Sequence, residues 1–210
     1  MEQAMKTALI IGITGNFGLE MAKALHSQNW KIKVLMRDAS KAPSFLPQEN
    51  IIEGSARNES TVDQACSGVD MIVYAANPQY HRWHEDALQM LEPTAKVAEA
   101  RQLKILFPGN VYNFAPQAKA IGEGALMNPP TDKGEIRVAM EQRLKQAATN
   151  GASVLIVRAG DFLGPNMHMS WLDFIAKPKN RKLTMSMPHP EHHVHYWSYL
   201  PDLCANAELL

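Results

Sequence analysis

Short runs of apolar residues alternate along this chain with longer stretches whose apolar positions recur every three or four residues. The short runs predict strands at Ala8–Ile11, Lys31–Met36, Ile51–Ile52, Met71–Ala75, Lys104–Phe107 and Val154–Arg158. Between them the helical period predicts helices at about Phe17–Gln28, Ser60–Ala65, Trp83–Arg101 and Gly134–Ala148. Runs such as LII, MIVYAA and VLIV show no polar alternation, so both faces of each strand must be covered. Strand–helix alternation of this kind predicts an α/β fold, a doubly wound parallel sheet with right-handed crossovers. After about Gly160 the alternation stops. Pro165, Pro178, Pro188, Pro190 and Pro201 break it into a loop-rich section packed on the sheet. Residues 1–210 therefore read as one domain, with 160–210 a partial substrate-side section. A last helix is predicted at Asp202–Leu210. It ends on two leucines without a polar cap, which reads as a truncated end.

Charge and composition exclude several classes. The chain of 210 residues carries 21 Lys+Arg against 21 Asp+Glu, so it lacks the basic excess of a general nucleic-acid binder. Apolar residues make up 46 % and charged residues 20 %, too apolar for a disordered chain. No apolar run approaches the roughly 18 residues of a membrane span. The opening MEQAMKTALIIG runs straight into glycine and reads as a buried strand, not as a leader peptide. Two cysteines, Cys66 and Cys204, cannot build a disulfide framework; they read as small core hydrophobes, and a cytoplasmic setting is expected.

The strongest chemical signal follows the first strand: Gly12, Ile13, Thr14, Gly15, Asn16, Phe17 and Gly18, opening the first helix. A glycine at the start permits a tight turn, one in the middle admits a pyrophosphate to the backbone, and one at the end lets helix and strand pack closely. The helix N-terminus adds free N–H groups and partial positive charge.

The GxxGxxG spacing resembles the short-chain dehydrogenase/reductase superfamily, in particular its extended and atypical members of the NAD-dependent epimerase/dehydratase type. Other stretches fit in register. Gly54, Ser55 and Ala56 stand where that family contacts adenine, although Ser55 replaces its aspartate. Tyr74, Ala75, Ala76 and Asn77 resemble the alanine-rich end of the fourth strand beside the cofactor. Arg158 to Pro165 resembles the segment that passes the nicotinamide, and Tyr199 to Asp202 the motif that anchors a C-terminal helix.

The resemblance implies a Rossmann fold binding NAD(P). In such folds the end of the second strand selects the cofactor: an acid bonds the ribose hydroxyls, an arginine accepts a 2′-phosphate. Arg37 takes that place, with Lys41 a turn away, which favours NADP over NAD. The alternative is two solvated cations, with Asp38 offering its carboxylate to the ribose.

The family's serine, tyrosine and lysine are missing. Alignment puts Pro108 at the hydroxyl position, Lys133 at the tyrosine and Arg137 at the lysine. Lysine cannot become an anionic base, and guanidinium does not titrate usefully. The like charges of Lys133 and Arg137, four apart on one helix face, would ease loss of the Lys133 proton and allow a proton shuttle. The blander reading, preferred here, is that both cations bind phosphate, ribose or an acidic substrate, with Arg137 at the nicotinamide ribose. Tyr112 is a candidate substitute acid, although a tyrosine at such a place more often packs against the sheet. Asp161 either orients substrate or caps a turn.

The histidines between Pro188 and His195 invite a metal reading, but no cysteine is near and the spacing matches no zinc motif, so no metal is assigned. A solvated or substrate-facing loop is preferred, with His195 the histidine expected at the cleft. Trp171 is placed as a wall of a substrate pocket and Trp83 against the start of its helix. The expected function is an NAD(P)-dependent oxidoreductase or epimerase/dehydratase-like protein acting on a carbonyl or sugar-type small molecule, with homodimers as in related chains. The rival is a catalytically degenerate NADP-binding redox sensor or regulator.

Overall fold

A computed structural model describes residues 5–116, 121–165, 167–168, 170–186 and 195–210. Six parallel strands form the central sheet: β1 (Thr7–Ile11), β2 (Lys31–Met36), β3 (Ile51–Glu53), β4 (Met71–Tyr74), β5 (Lys104–Gly109) and β6 (Ser153–Arg158). Their order is β3-β2-β1-β4-β5-β6, so the chain winds outward from β1 in both directions. The topology reverses between β1 and β4, and the crevice at such a reversal is where open α/β sheets bind ligands.

Side-chain alternation builds two cores from one sheet. Leu9 and Ile11 of β1 join Tyr74, Ile105 and Phe107 on one face, beneath α2 (Glu59–Ala65), α3 (Trp83–Arg101) and α4 (Asp132–Thr149). Ala8 and Ile10 face the other way, to Met21 and Leu25 of α1 (Asn16–Ser27) and Cys204 of α6 (Leu200–Leu209). All five β1 residues are buried, and after Thr7 at its start the strand shows no polar position. Trp30 ties the far end of α1 to α6 by donating from Nε1 to Glu208 (3.2 Å).

The expected strands and helices are all present, with ends shifted by no more than two residues. α4 starts two residues earlier than its apolar period suggests, because Thr131 caps it and accepts the Gly134 amide at 3.2 Å.

The section after Gly160 is more ordered than its prolines imply. β7 (Asp161–Leu163) pairs in parallel with β10 (Trp197–Tyr199). α5 (Trp171–Ile175) leads into an antiparallel hairpin of β8 (Ala176–Lys179) and β9 (Lys182–Met185). Three- and four-residue strands carry too few positions for a hydrophobic period to register. Cys66 and Cys204 are both buried, and burial pushes each thiol up to about 12.

Candidate functional site

The loops expected at the cofactor site all leave the sheet at the same edge. Gly12–Gly18 follow β1, Arg37–Lys41 follow β2, Gly54–Ala56 follow β3, and Ala75–Asn77 follow β4. The parallel register brings them side by side, with Ile11 opposite both Leu35 and Tyr74.

The three glycines of the turn have different reasons to be glycine. Gly12 has φ +99°, and a Cβ there would stand 2.5 Å from the Ala75 carbonyl carbon. A Cβ on Gly18 would meet the Gly12 carbonyl oxygen at 2.3 Å. Both are demanded by the protein's own backbone. Gly15 is not. It caps α1 at φ −87°, and a Cβ would find its nearest neighbour at 3.5 Å, an ordinary contact. What glycine leaves there is open space against an exposed backbone, in front of α1. The amides of Asn16, Phe17 and Gly18 precede the first intrahelical bond, Leu19 N–H to Gly15 O at 3.0 Å. Among the described residues no side chain caps them, and no acid lies in the first turn. This cradle fits a diphosphate.

Thr14 is exposed beside it. Phe17 turns inward and stacks on Phe162, ring centroids 6.2 Å apart, so only its amide faces the turn. The Asn16 side chain is engaged elsewhere. It donates to the His168 carbonyl (2.8 Å) and accepts the His168 amide (2.9 Å), fastening the loop after β7 onto the turn.

At the end of β2 the charges are sorted. Asp38 accepts from the Ser40 amide (3.1 Å) and hydroxyl (2.6 Å) and pairs with Lys41 (3.1 Å). The Ser40 bonds, then Lys41, hold its carboxyl below the usual carboxylate range. Lys41 is thus occupied by Asp38, whereas Arg37 is exposed and has no ion pair among the described residues. Ser55 accepts the Arg57 amide at 3.2 Å, and Ala56 packs against the first core. Ala75 donates its amide to Ile11 (2.8 Å); Ala76 is half-buried and Asn77 exposed.

Beyond β4 and β5 the residues at the catalytic positions gather around aromatic rings. Tyr80 stacks on Trp83 (5.1 Å), and Trp83 lies 6.4 Å from Tyr112. Trp83 is buried and donates to the Pro78 carbonyl at 3.0 Å, holding the start of α3 as expected. Close packing fixes Tyr112 against α4, since a Cβ on Gly134 would be 2.3 Å from the Tyr112 carbonyl oxygen.

The two cations on α4 do not share one environment. Lys133 is exposed, its ammonium 4.3 Å over the Tyr80 ring. Arg137 points inward, 6 % exposed, over Phe107 (4.6 Å), and donates to the Pro108 carbonyl. Burial lowers its guanidinium to about 10. Its Nε and the Tyr74 hydroxyl are buried without partners among the described residues. Burial first, then Tyr80 and the Asp161 charge, push the Tyr112 hydroxyl well above the usual phenol range.

Several features escape the one-dimensional reading. Glu141, one turn beyond Arg137, is fully buried and pairs with Arg158 through two bonds, one of 3.3 Å. Its place on the inner helix face is legible in the spacing 137, 141; its partner is not. A cavity of about 440 Å³ opens past β5 and β6, lined by Val111, Phe114, Ile156, Arg158, Tyr196 and Trp197 among others. That volume suits a small molecule. Trp171 does not line it; it lies on α5, 52 % exposed, edge-on to Phe174. Asp161 caps no turn and instead meets His195 at 2.7 Å. Residues 188–194 lie outside the described residues. Among the described ones no three His, Cys, Asp or Glu side chains group to hold a metal, and no helix is long and apolar enough to cross a membrane.

Residues 12–116, half the chain, match the family described as NAD(P)H-binding. The chain belongs to that NAD(P)H-binding family. Its Rossmann sheet also superposes on solved epimerases. UDP-N-acetylglucosamine 4-epimerase from Bacillus cereus matches with TM-score 0.74 and 12 % identity, over 97 % of this chain and 72 % of that one. UDP-glucose 4-epimerase from Thermus thermophilus, solved with NAD, matches with TM-score 0.76 and 16 % identity, over 97 % and 73 %. WbmG from Bordetella bronchiseptica, also solved with NAD, matches with TM-score 0.67 and 22 % identity, over 80 % and 57 %. At such identities the likeness is one of fold. This NAD(P)H-binding chain has the epimerase-type sheet and is shorter than those proteins.

Proposed function

We propose that the chain binds NADP, in preference to NAD, along the ends of β1 to β4. Its substrate would be a carbonyl- or sugar-type small molecule in the cavity beyond β5 and β6. A bound nicotinamide supplies hydride exchange with a carbonyl or carbinol carbon. The observation that carries this reading is Gly15, a glycine that the protein's own packing does not require, in front of uncapped amides. Gly12–Gly18 would hold the diphosphate. Arg37, free of Asp38, would read the 2′-phosphate, whereas an exposed Asp38 without Lys41 and Ser40 would favour the bare ribose.

Calorimetry with NADPH and NADH tests this directly. NADPH should bind about tenfold more tightly or better, as one charge-assisted contact allows. Arg37→Ala should abolish the difference and leave NADH unchanged. Equal affinities in the wild type, or an undiminished preference in the variant, would overturn the NADP assignment.

A second reading, a cofactor-binding sensor without turnover, has its own observation. The position of the family's general acid holds exposed Lys133, and the position of its lysine holds a buried Arg137 bonded to backbone. Tight binding of NADPH without absorbance change against a panel of carbonyl compounds and nucleotide sugars would favour it.

A further inference from the structure

We propose that His195, oriented by Asp161, is the acid/base of the site, taking the task that the resemblance would give to a tyrosine at position 133. This rests on the dinucleotide reading above. Asp161 opens β7 directly after the sheet strand β6, and His195 stands two residues before β10. The parallel pairing sets Trp197 opposite Asp161, and the Asp161 amide donates to the Tyr196 carbonyl at 3.2 Å. Residues 34 apart in sequence thereby meet, Nε2 to Oδ2, at 2.7 Å, with Trp197 against the imidazole at 4.8 Å.

The position of the pair is what distinguishes it from a surface ion pair. On one side, β7 touches the phosphate turn: Phe162 stacks on Phe17, and the loop after β7 is bonded twice to Asn16. On the other side, Tyr196 and Trp197 line the cavity. Asp161's charge also bears on Tyr112. Both partners keep access, 39 % for the His195 side chain and 30 % for Asp161. Through their chain neighbours the two residues are joined to the turn on one side and to the cavity on the other.

The chemistry of the neighbours leaves the task open. Lys133 offers no anionic base, Arg137 is held by the Pro108 carbonyl, and the Tyr112 hydroxyl is pushed away from neutrality. Imidazole is the side chain that ordinarily changes charge near neutral pH. A carboxylate oxygen accepts, so Nε2 carries the proton towards Asp161 and Nδ1 presents its lone pair. In the oxidising direction Nδ1 takes the proton of a substrate hydroxyl as the O–H bond breaks. The carbon's hydride, with its electron pair, is accounted for by the nicotinamide, and a C=O bond forms. In reduction Nδ1–H returns the proton to the oxygen. Asp161 is a positioning residue that stabilises the imidazolium formed on the way.

Histidine-ring NMR of the whole chain tests this without a known substrate. The eight histidines are told apart by His195→Gln, which removes one signal. In Asp161→Asn the titration midpoint of His195 should be displaced downward from that of the wild-type chain, and Asp161→Glu should restore it. An oxidised nicotinamide ring is cationic and a reduced one neutral, while the phosphates are the same. With NADP⁺ bound, His195 should therefore titrate about half a unit or more lower than with NADPH.

Equal midpoints with both forms, while both shift the Gly15 amide, would overturn the proposal and spare the dinucleotide reading. A midpoint indifferent to Asp161→Asn would overturn the pairing. If neither form shifts Gly15, the dinucleotide reading fails and takes the proposal with it. Should Asp161→Asn not fold, the NADP⁺–NADPH comparison on the wild-type chain decides alone.

Discussion

The two halves of the sheet edge are built from different material. At β1 to β4 the site is mostly backbone: a turn with φ +99° at Gly12, a carbonyl packed against the Gly18 Cα, and uncapped amides. At β5, β6, α4 and the β7–β10 pair it is side chains: Tyr112, Lys133, Arg137, Arg158 and the Asp161–His195 pair. A backbone site constrains residue identity through steric contact, so its motif survives wherever the fold does. A side-chain site is supported at a distance. α4 keeps its place through the Thr131 cap and the Gly134–Tyr112 contact, whatever stands at 133. The chemistry there is free to change while the scaffold does not.

Paired glycine substitutions sharpen this contrast most. Gly12→Ala forces a Cβ into the Ala75–Ala76 backbone at an unfavourable φ and should cost about 3 kcal/mol or more. Gly15→Ala meets only ordinary contacts and should cost about 1 kcal/mol or less. Yet it should remove most NADPH affinity, because the methyl occupies the space left for the diphosphate. Urea denaturation and calorimetry on the two variants separate the effects. A Gly15→Ala chain that binds normally would refute the backbone-cradle argument.

The buried ion pair probes the other half. Glu141→Leu leaves the Arg158 guanidinium without its carboxylate in a pocket where Arg158 is 23 % exposed. Breaking a buried pair costs about 3–5 kcal/mol, and Arg158's partial access to water lowers the expectation to about 2–3. Adding Arg158→Met should recover most of the loss, since an apolar pair of similar volume is often neutral. Urea midpoints of the single and double variants decide. Equal losses in both would show that the pair's geometry, not its unpaired charge, matters.

How much of this was legible in sequence follows the same division. Strands buried on both faces announce themselves as unbroken apolar runs, and the Gly12–Gly18 turn is a local pattern, so sheet, helices and cradle could be read directly. Arg37 and Lys41 could be located, but not that Lys41 would settle on Asp38 while Arg37 has no ion pair among the described residues. Arg137 and Lys133 share a helical face by spacing, yet Phe107 and Pro108 draw one in while Tyr80 holds the other at the surface. The Asp161–His195 meeting depends on a three-residue parallel pairing across a proline-rich stretch. No local period encodes such a contact.

Between the halves runs a bridge that responds to acid. Asp86, at the start of α3, is bonded by Arg82 (2.6 Å) and paired with Arg57 from the β3–α2 loop, tying the segment after β3 to the Tyr80–Trp83 stack. Arg82 first, then Arg57, hold its carboxyl down to about 2. A free aspartate titrates near 3.9. The stabilisation is therefore complete above roughly pH 4 and disappears as pH falls towards 2. In Asp86→Asn the stability should vary less steeply with pH in that window, which acid titrations followed by circular dichroism can measure. Identical slopes would remove the bridge from the account.

The smallest expected effect is the most telling about where proton transfer resides. Lys133→Met removes an exposed ammonium over an exposed ring, a contact of about 0.5–1 kcal/mol at most. Neither the Thr131 cap nor the inward Arg137 depends on it, so urea stability should hardly change. If proton transfer lies with His195, turnover on any substrate found in the carbonyl screen should fall no more than a few-fold in Lys133→Met and collapse in His195→Gln. The reverse order would return the chemistry to α4. The side-chain half would then keep the family's arrangement, with an amine where the phenol stood.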